Sequence, residues 1–492
     1  MRLAKNLFYL ISSYVFQKVL TFIYFIFLTR LLGPEDAGKY LFAVSFAMAF
    51  SILTDLGLNT TFIREVAKNK ERLELYLGNI LSLKIILSAL TFLILVLAIG
   101  LFNKPPLIQF LVYLAGISIL FDSFAHLFYG IFRAYQNLKY ESKGVILHQS
   151  LIFVLGLIVL FLKLPLPFLM STLIIASFFF FIHPLVLAFK ELKIKIQLNL
   201  DKKIFIPLLI TALPLALTGV FDRLYAYFDA IALGKLVGDI YVGWYKVAYK
   251  LTFAFQFIPS AFSAVLFPAF SIYYISNKER LIKIFEKSIF YLMLIAIPLL
   301  FGSILLAEEL ILKIYGSDYY PSILPFQILM VNLVFIFLYS PVGALFNASG
   351  RQLQNTFNIG IVTIINLILN LALIPSWFTV GASVASLISN VILFFLGYYF
   401  NAKIIKYNKI YLIKSFFKIF FAGLLMSFAI LSLKKVTPFL LIIFLAGLIY
   451  FGVVYLIGGI KREDFEILKN VIINRKRGRE MIKTNGFQEP KI

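Results

Sequence analysis

Residues Arg30–Tyr40 read RLLGPEDAGKY, and residues Lys235–Tyr245 read KLVGDIYVGWY. The cation, the leucine, both glycines and the tyrosine recur at one spacing, an offset of 205 from Gly33 to Gly238 and from Gly38 to Gly243. The next polar break, Asn69–Leu73 (NKERL), returns unchanged as Asn277–Leu281, at an offset of 208. Phe132-Arg133-Ala134 then aligns with Phe346-Asn347-Ala348 at 214. Three matches in order, with a slowly drifting offset, indicate an internal duplication.

The unit that is duplicated is apolar. Of 492 residues 61% are hydrophobic and the mean hydropathy is +0.95, whereas a soluble domain is about half apolar. This composition predicts an all-α polytopic membrane protein. About 20 apolar residues cross a bilayer, and fourteen such spans are expected, near 7–30, 39–62, 78–101, 107–131, 144–162, 168–189, 205–233, 241–271, 288–306, 321–345, 355–374, 378–400, 412–432 and 438–458. The first, following Arg2 and Lys5, lacks a small-residue cleavage site and reads as a transmembrane helix, not a signal peptide. Each repeat then holds six helices. An even number returns the chain to its starting side, so both copies insert the same way up, as in transporters whose halves are related by an axis along the membrane normal. The expected organisation is an N-terminal six-helix lobe at 1–189, a cytoplasmic linker at 190–203, a C-terminal six-helix lobe at 204–400, two extra helices within 401–458 and a basic tail at 459–492 that includes Arg475–Arg479.

The net charge of +23 would suggest nucleic acid in a soluble protein. Here most Lys and Arg sit in the short gaps on one side of the spans, so the charge is read as membrane orientation, with both termini cytoplasmic. No nucleic-acid partner is expected. Cysteine is absent, which excludes disulfides and thiolate-held metals. His126, His148 and His183 are the only histidines and lie far apart in sequence, so no metal site is expected. The outer connections are short, the longest near 307–320, which counts against a folded extracytoplasmic catalytic module and hence against an enzyme.

Charges inside the spans are costly, about 2.5–3.5 kcal/mol each at the bilayer centre on insertion scales, and mark candidate sites. Lys18 lies mid-way along the first helix, and adding the repeat offset gives Arg223, mid-way along the seventh. Lys246 and Lys250 are one helical turn apart on the eighth. These four are the candidate anion-binding residues of a cationic lumen, Arg223 being able to grip phosphate oxygens bidentately. The competing readings are an Asp222–Arg223 ion pair and outward snorkelling of Lys246. Lys84 and Lys418 are expected to snorkel from helix ends. Asp122 and His126 share a helix face and could relay a proton or cation. Asp55 could sense ions, cap a helix break at Gly57 or pair with Arg64. With Asp222 and Asp229 these complete the ion-coupling candidates. Asn366 and Asn370 are read as helix–helix packing groups, and Pro207, Pro214, Pro259 and Pro268 as kinks or hinges.

LLGPEDAGKY after the first helix, TDLGLNTTFIRE (Thr54–Glu65) closing the second, VGWYKVAYKL (Val242–Leu251) opening the eighth and NLILNLALIP (Asn366–Pro375) before Gly381-Ala382 resemble polysaccharide (Wzx-type O-antigen) flippases. These belong to the superfamily that also holds multidrug and toxin extruders and the lipid II flippase. The resemblance covers about residues 5–400. It implies two pseudo-symmetric six-helix bundles working by alternating access. It implies a substrate made of an undecaprenyl-pyrophosphate-linked oligosaccharide, an O-antigen, capsule or exopolysaccharide repeat unit, moved from the inner to the outer leaflet of the cytoplasmic membrane. Lumen cations would hold the pyrophosphate, at positions matching Lys18, Arg223, Lys246 and Lys250. Helices thirteen and fourteen would line a groove for the lipid tail. No cofactor is implied beyond a coupling H+ or Na+, and the expected partners are membrane lipids and glycan polymerase or ligase machinery. The rival readings are a lipid II flippase and a multidrug extruder; the latter takes cationic substrates, which midplane cations disfavour. A membrane-embedded glycan polymerase or ligase and a pure scaffold are the alternatives outside transport.

Overall fold

The computed structural model describes residues 2–434 and 437–459; the basic tail at Arg475–Arg479 lies outside them. Among the described residues all regular structure is helical. The reason is the solvent: with no water in the hydrocarbon core, each backbone N–H and C=O must be satisfied within its own segment. The helices are α1 (Arg2–Phe50), α2 (Leu58–Lys68), α3 (Leu73–Gly100), α4 (Pro106–Ala134), α5 (Lys139–Phe161), α6 (Leu166–Leu192), α7 (Lys202–Leu236), α8 (Asp239–Phe253), α9 (Phe257–Ser276), α10 (Lys278–Leu305), α11 (Ala307–Tyr315), α12 (Ile323–Ala348), α13 (Gln352–Asn401), α14 (Lys409–Leu433) and α15 (Phe439–Leu456).

Among the described residues eleven helical segments are long and apolar enough to cross a membrane, and a twelfth, shorter apolar helix covers Leu441–Leu456. Two of the eleven, Phe8–Thr54 and Gln352–Asn401, have 47 and 50 residues. At 1.5 Å per residue each is over about 70 Å long, more than twice the ~30 Å hydrocarbon core. Each is interrupted once. In α1 the break is Gly33 (φ 73°, ψ 173°), with Pro34 pre-set to start the following helix. In α13 it is Phe378 (φ 52°, ψ −128°), whose ring stacks on Tyr241 at 4.9 Å. The second copy of the opening motif breaks similarly, at Gly238 (φ 121°) between α7 and α8.

Between α1 and α3 the chain runs along α2, an amphipathic helix burying Leu58, Thr61, Phe62 and Val66, the one-face spacing of a half-buried helix. Its other face carries Arg64, Glu65 and Lys68. The Lys68 ammonium at 2.9 Å, and after it the Arg64 guanidinium, hold the Glu65 carboxyl below the usual carboxylate range.

The segment expected as a linker has no regular structure from Lys193 to Leu200 and is pinned to α3. The Lys195 N–H donates to Glu74 Oε1 at 2.7 Å, and the Asp201 N–H to Asn79 Oδ1 at 2.8 Å. Between them, Gln197 O lies where a Cβ on Gly78 would stand, 2.1 Å away.

Two compact units emerge. Of the described residues, one comprises those in 2–271 and 307–404, the other those in 272–306 and 405–459. The first holds most of both repeats. In the second, α10 packs on α14 and α15, and the Tyr450 hydroxyl donates to Leu294 O at 2.9 Å. The stretch near 307–320 forms only α11 and a short 3-10 turn, Ser317–Ser322.

Candidate functional site

The two copies of the opening motif meet each other inside the first unit. A Cβ on Gly38 would stand 1.9 Å from Asp239 O, and one on Gly243 would stand 2.1 Å from Pro34 O. Pro34 and Asp239 are themselves partners at the offset of 205, as are Gly38 and Gly243. The contact is therefore isologous: residue i of one copy touches residue j of the other, and j touches i. Side-chain bonds follow the same symmetry. Arg30 Nη2 donates to Lys313 O at 2.6 Å, while its counterpart Lys235 donates through Nζ to Phe102 O at 2.7 Å. Phe102 and Lys313 are 211 apart, on the drift line between 208 and 214. Lys104 adds an ion pair to Asp239 at 2.6 Å and lies 4.5 Å from the Phe42 ring centroid. The motif recurs because it is the two-fold clasp between the repeats.

Asp55 lies beyond the clasp on the same chain segment, about 25 Å from Gly38 at 1.5 Å per helical residue. There a cavity of about 310 Å³ opens, lined by Asp55, Lys84, Asp122, Ser123 and His126 from the first repeat and by Arg223 and Tyr227 from the second. Arg223 makes no ion pair with Asp222, which is exposed on α7. Its contact is Tyr227, with Nη1 donating to the hydroxyl at 3.5 Å. The guanidinium is thus uncommitted in a cavity between the two copies.

Lys84 does not snorkel. It is 1% exposed and its Nζ lies 2.9 Å from Asp55 Oδ1. Asp55 pairs with Lys84 and not with Arg64, and its Oδ2 also accepts from the Asn59 N–H at 3.4 Å, so it does hold the start of α2. Removing one member of a buried ion pair strands the other, at 3–5 kcal/mol. Because Asp55 is 25% exposed, Lys84→Met is expected to destabilise by less, about 2 kcal/mol. Adding Asp55→Asn should recover most of that loss in thermal melts of the detergent-solubilised protein. A double variant no more stable than Lys84→Met would show that the two charges do not act as a pair.

Asp122 and His126 both line the cavity, but the imidazole beside the Asp122 carboxylate is that of His148 on α5, Nε2 to Oδ1 3.7 Å. The three histidines, distant in sequence, gather round the rings of Phe180 and Tyr129. His126 and His148 lie 5.6 and 4.8 Å from Phe180. His183 bonds the hydroxyl of Tyr129, which also packs on Phe180. No group of three potential metal ligands occurs among the described residues.

Lys246 is buried and does not reach outward. Its ammonium lies 5.7 Å from the Tyr227 ring and 5.2 Å from Tyr249, with no carboxylate within ion-pair distance. Two aromatic faces return at most about 2 kcal/mol each, against several kcal/mol for a desolvated ion. Lys250 reaches back to the first repeat, 5.7 Å from the Phe25 ring. Lys18 is exposed on α1, makes no hydrogen bond or ion pair with a described residue, and is not among the residues lining the Arg223 cavity.

Asp229 is the buried acid of the second repeat. It accepts from the Tyr245 hydroxyl (2.5 Å), Asn370 Nδ2 (2.8 Å) and the Ser386 hydroxyl (3.2 Å). Asn370 Nδ2 also reaches the Asn366 side-chain oxygen at 3.0 Å. The asparagine pair read as helix packing is therefore part of a polar network around a carboxylate. Asp229 also borders a second cavity, of about 430 Å³, lined by Tyr225, Tyr249, Asn332, Tyr339 and Asn390 among others, with no Lys or Arg. The break between α8 and α9 at its edge, Ala254–Gln256, precedes Pro259, whose ring displaces the carbonyl four residues back.

A family model described as polysaccharide biosynthesis protein matches residues 3–274, more than half of the 492. The chain belongs to the polysaccharide biosynthesis protein family. The capsular polysaccharide biosynthesis protein CapF of Staphylococcus aureus is 24% identical over 406 residues, covering 82% of this chain and 100% of CapF. The probable flippase AglR of Haloferax volcanii is 32% identical over 173 residues, 34% of this chain and 35% of AglR. Among solved structures, the lipid II flippase MurJ in an inward closed conformation aligns at a TM-score of 0.75 with 18% identity, covering 91% of this chain and 98% of MurJ. An inward-facing multidrug resistance MATE family transporter of the MOP superfamily aligns at 0.65 with 14% identity, covering 79% and 95%. The family match and the shared fold bear out the resemblance to polysaccharide flippases carried by the sequence motifs, and the relatives reported include a probable flippase and solved transporters.

Proposed function

We propose that this member of the polysaccharide biosynthesis family flips an oligosaccharide carried on a polyprenyl diphosphate, undecaprenyl being the carrier to test first, from the inner to the outer leaflet of the cytoplasmic membrane. The observation that carries this reading is Arg223: a guanidinium with no carboxylate within ion-pair distance among the described residues, in a cavity shared by the two repeats. Lys246, Lys250 and Lys18 are the further anion-binding groups, Lys18 standing where the duplication places the counterpart of Arg223. The second cavity, bordered by Asp229 and lined by no Lys or Arg, suits sugar. Tyrosine faces pack on pyranose C–H groups, and carboxamides bond hydroxyls, the mix of apolar walls and a few polar groups expected of a ligand pocket. A multidrug extruder fits less well, since its cationic substrates would meet Arg223. Lipid II remains the nearest rival substrate, in line with the likeness to MurJ.

In this reading the chain crosses the membrane fourteen times, the two broken helices counting twice, with both termini cytoplasmic. The Gly38–Gly243 clasp then closes the outer side, and alternating access requires it to open. Asp229, with three neutral donors and a buried unpartnered Asn370 oxygen beside it, is the foremost site for a coupling H+ or Na+. Asp55, Asp122 with His126, and Asp222 are the others.

Deleting the gene should make a lipid-linked glycan accumulate on the cytoplasmic leaflet, to be identified by mass spectrometry. Reconstituted protein should flip that compound faster under an imposed proton or sodium gradient, and Asp229→Asn should remove the acceleration while leaving substrate binding in place. No accumulated lipid-linked glycan would sink the substrate assignment. Flipping indifferent to every gradient would sink the coupling alone.

A further inference from the structure

The second unit has its own cavity, of about 530 Å³, where α10 and α14 begin and α15 ends. Lys283 and Lys287 enter it from α10, and Lys414 and Lys418 from α14, each pair on one face of its helix. Glu286 is the one acid among the lining residues, and its Oε1 accepts the Asn408 N–H at 2.6 Å. Tyr411 and the buried Ser415 add hydroxyls, and Gly458 and Gly459 leave the far wall without side chains. Lys283 and Lys414 make no ion pair with any described residue, and Lys418 reaches only Gly458 O, at 3.5 Å. Four lysines and one glutamate line this cavity, so its lining is formally cationic. Orientation charge does not need this, because loop lysines in open water serve it equally well.

We propose that this cavity binds the phosphate of an anionic membrane lipid. A lipid headgroup and a free phosphate share the recognised chemistry. The lipid is favoured by what lies beyond the lysines: along α14, Ile413, Phe417, Phe421 and Leu424 are apolar and exposed, a surface for acyl chains rather than water. Basic pockets between membrane helices hold lipid headgroups in this manner. The substrate cavity is in the other unit, so the site is independent of the glycan assignment.

The test uses full-length, delipidated protein incubated with phosphatidylglycerol or phosphatidylcholine, with retained lipid counted by native mass spectrometry. Wild type should retain phosphatidylglycerol in preference. The Lys283→Gln/Lys414→Gln variant should lose that preference about tenfold or more, two charges being removed. Lys283→Arg/Lys414→Arg, which keeps the charge, should retain it, and a Lys70→Gln/Lys163→Gln variant controls for charge removed elsewhere. Equal phosphatidylglycerol retention by the Gln variant and wild type would overturn the proposal. So would an equal loss in the Lys70/Lys163 control, or displacement of the lipid by millimolar inorganic phosphate, which would make a free anion the occupant.

Discussion

Arg223→Ala is expected to lower translocation of the lipid-linked glycan about 100-fold while the protein stays in the membrane at its normal level. Removing one partner from a desolvated, hydrogen-bonded charge pair costs about 2–5 kcal/mol, and each 1.4 kcal/mol is tenfold. The level should hold because Arg223 makes no ion pair with a described residue; its side-chain hydrogen bond is to the Tyr227 hydroxyl at 3.5 Å, with that ring at 6.0 Å. Arg223→Lys should recover part of the activity, since it restores the charge but not the planar fork that meets two phosphate oxygens at once. Lys18→Ala should act in the same direction with a smaller effect, its side chain being exposed. The measurement is glycan delivered to the outer leaflet of reconstituted vesicles, read beside protein quantity. Full activity in Arg223→Ala would remove this residue from the binding site and with it the main support for an anionic substrate.

The second large effect is expected at the clasp. Gly38→Ala places a methyl group 1.9 Å from a backbone carbonyl, and no side-chain rotation relieves such a contact. The repeats must part there, so the clasp is lost; if, as proposed, it closes the outer side, flipping should fall at least about tenfold, the equivalent of ~1.4 kcal/mol. Gly243→Ala meets the Pro34 carbonyl at 2.1 Å and should do the same. Because both changes break one symmetric contact, the double variant should be little worse than either single one. The chain has no cysteine, which permits a clean readout. Val242→Cys replaces a side chain with no exposed surface; it should resist an impermeant maleimide in the parent and react in the Gly38→Ala background. Resistance in both backgrounds, with flipping intact, would mean that the clasp tolerates the methyl group and does not gate the outer side.

Much of the candidate site was legible because it rests on local facts. A cation inside an apolar run is conspicuous at any position, and the offset of 205 ties Lys18 to Arg223 in sequence, but only packing shows that Lys18 lies exposed and outside the Arg223 cavity. Long-range partners were not legible. Lys84 looks like a helix-end lysine until Asp55, 29 residues away, is brought against it. His148 and His126 lie on different helices, so the i, i+4 rule named only one of the two imidazoles near Asp122. Asn366 and Asn370 carry a generic packing signature, and only the proximity of α7 to α13 turns it towards Asp229.

Composition and periodicity alone determined that this chain is helical and membrane-embedded, because a bilayer admits few ways of satisfying a backbone and 61% apolar residues leave no alternative. The duplication was likewise written in the order of residues, since copied loops keep their breakers and charges. Tertiary structure alone decided what the duplication is for. The facing glycines, the crossed bonds of Arg30 and Lys235, and the mixed lining of the Arg223 cavity all depend on how one repeat sits against the other. That placement arises from contacts about 200 residues apart, and spacing within a single helix holds no record of them.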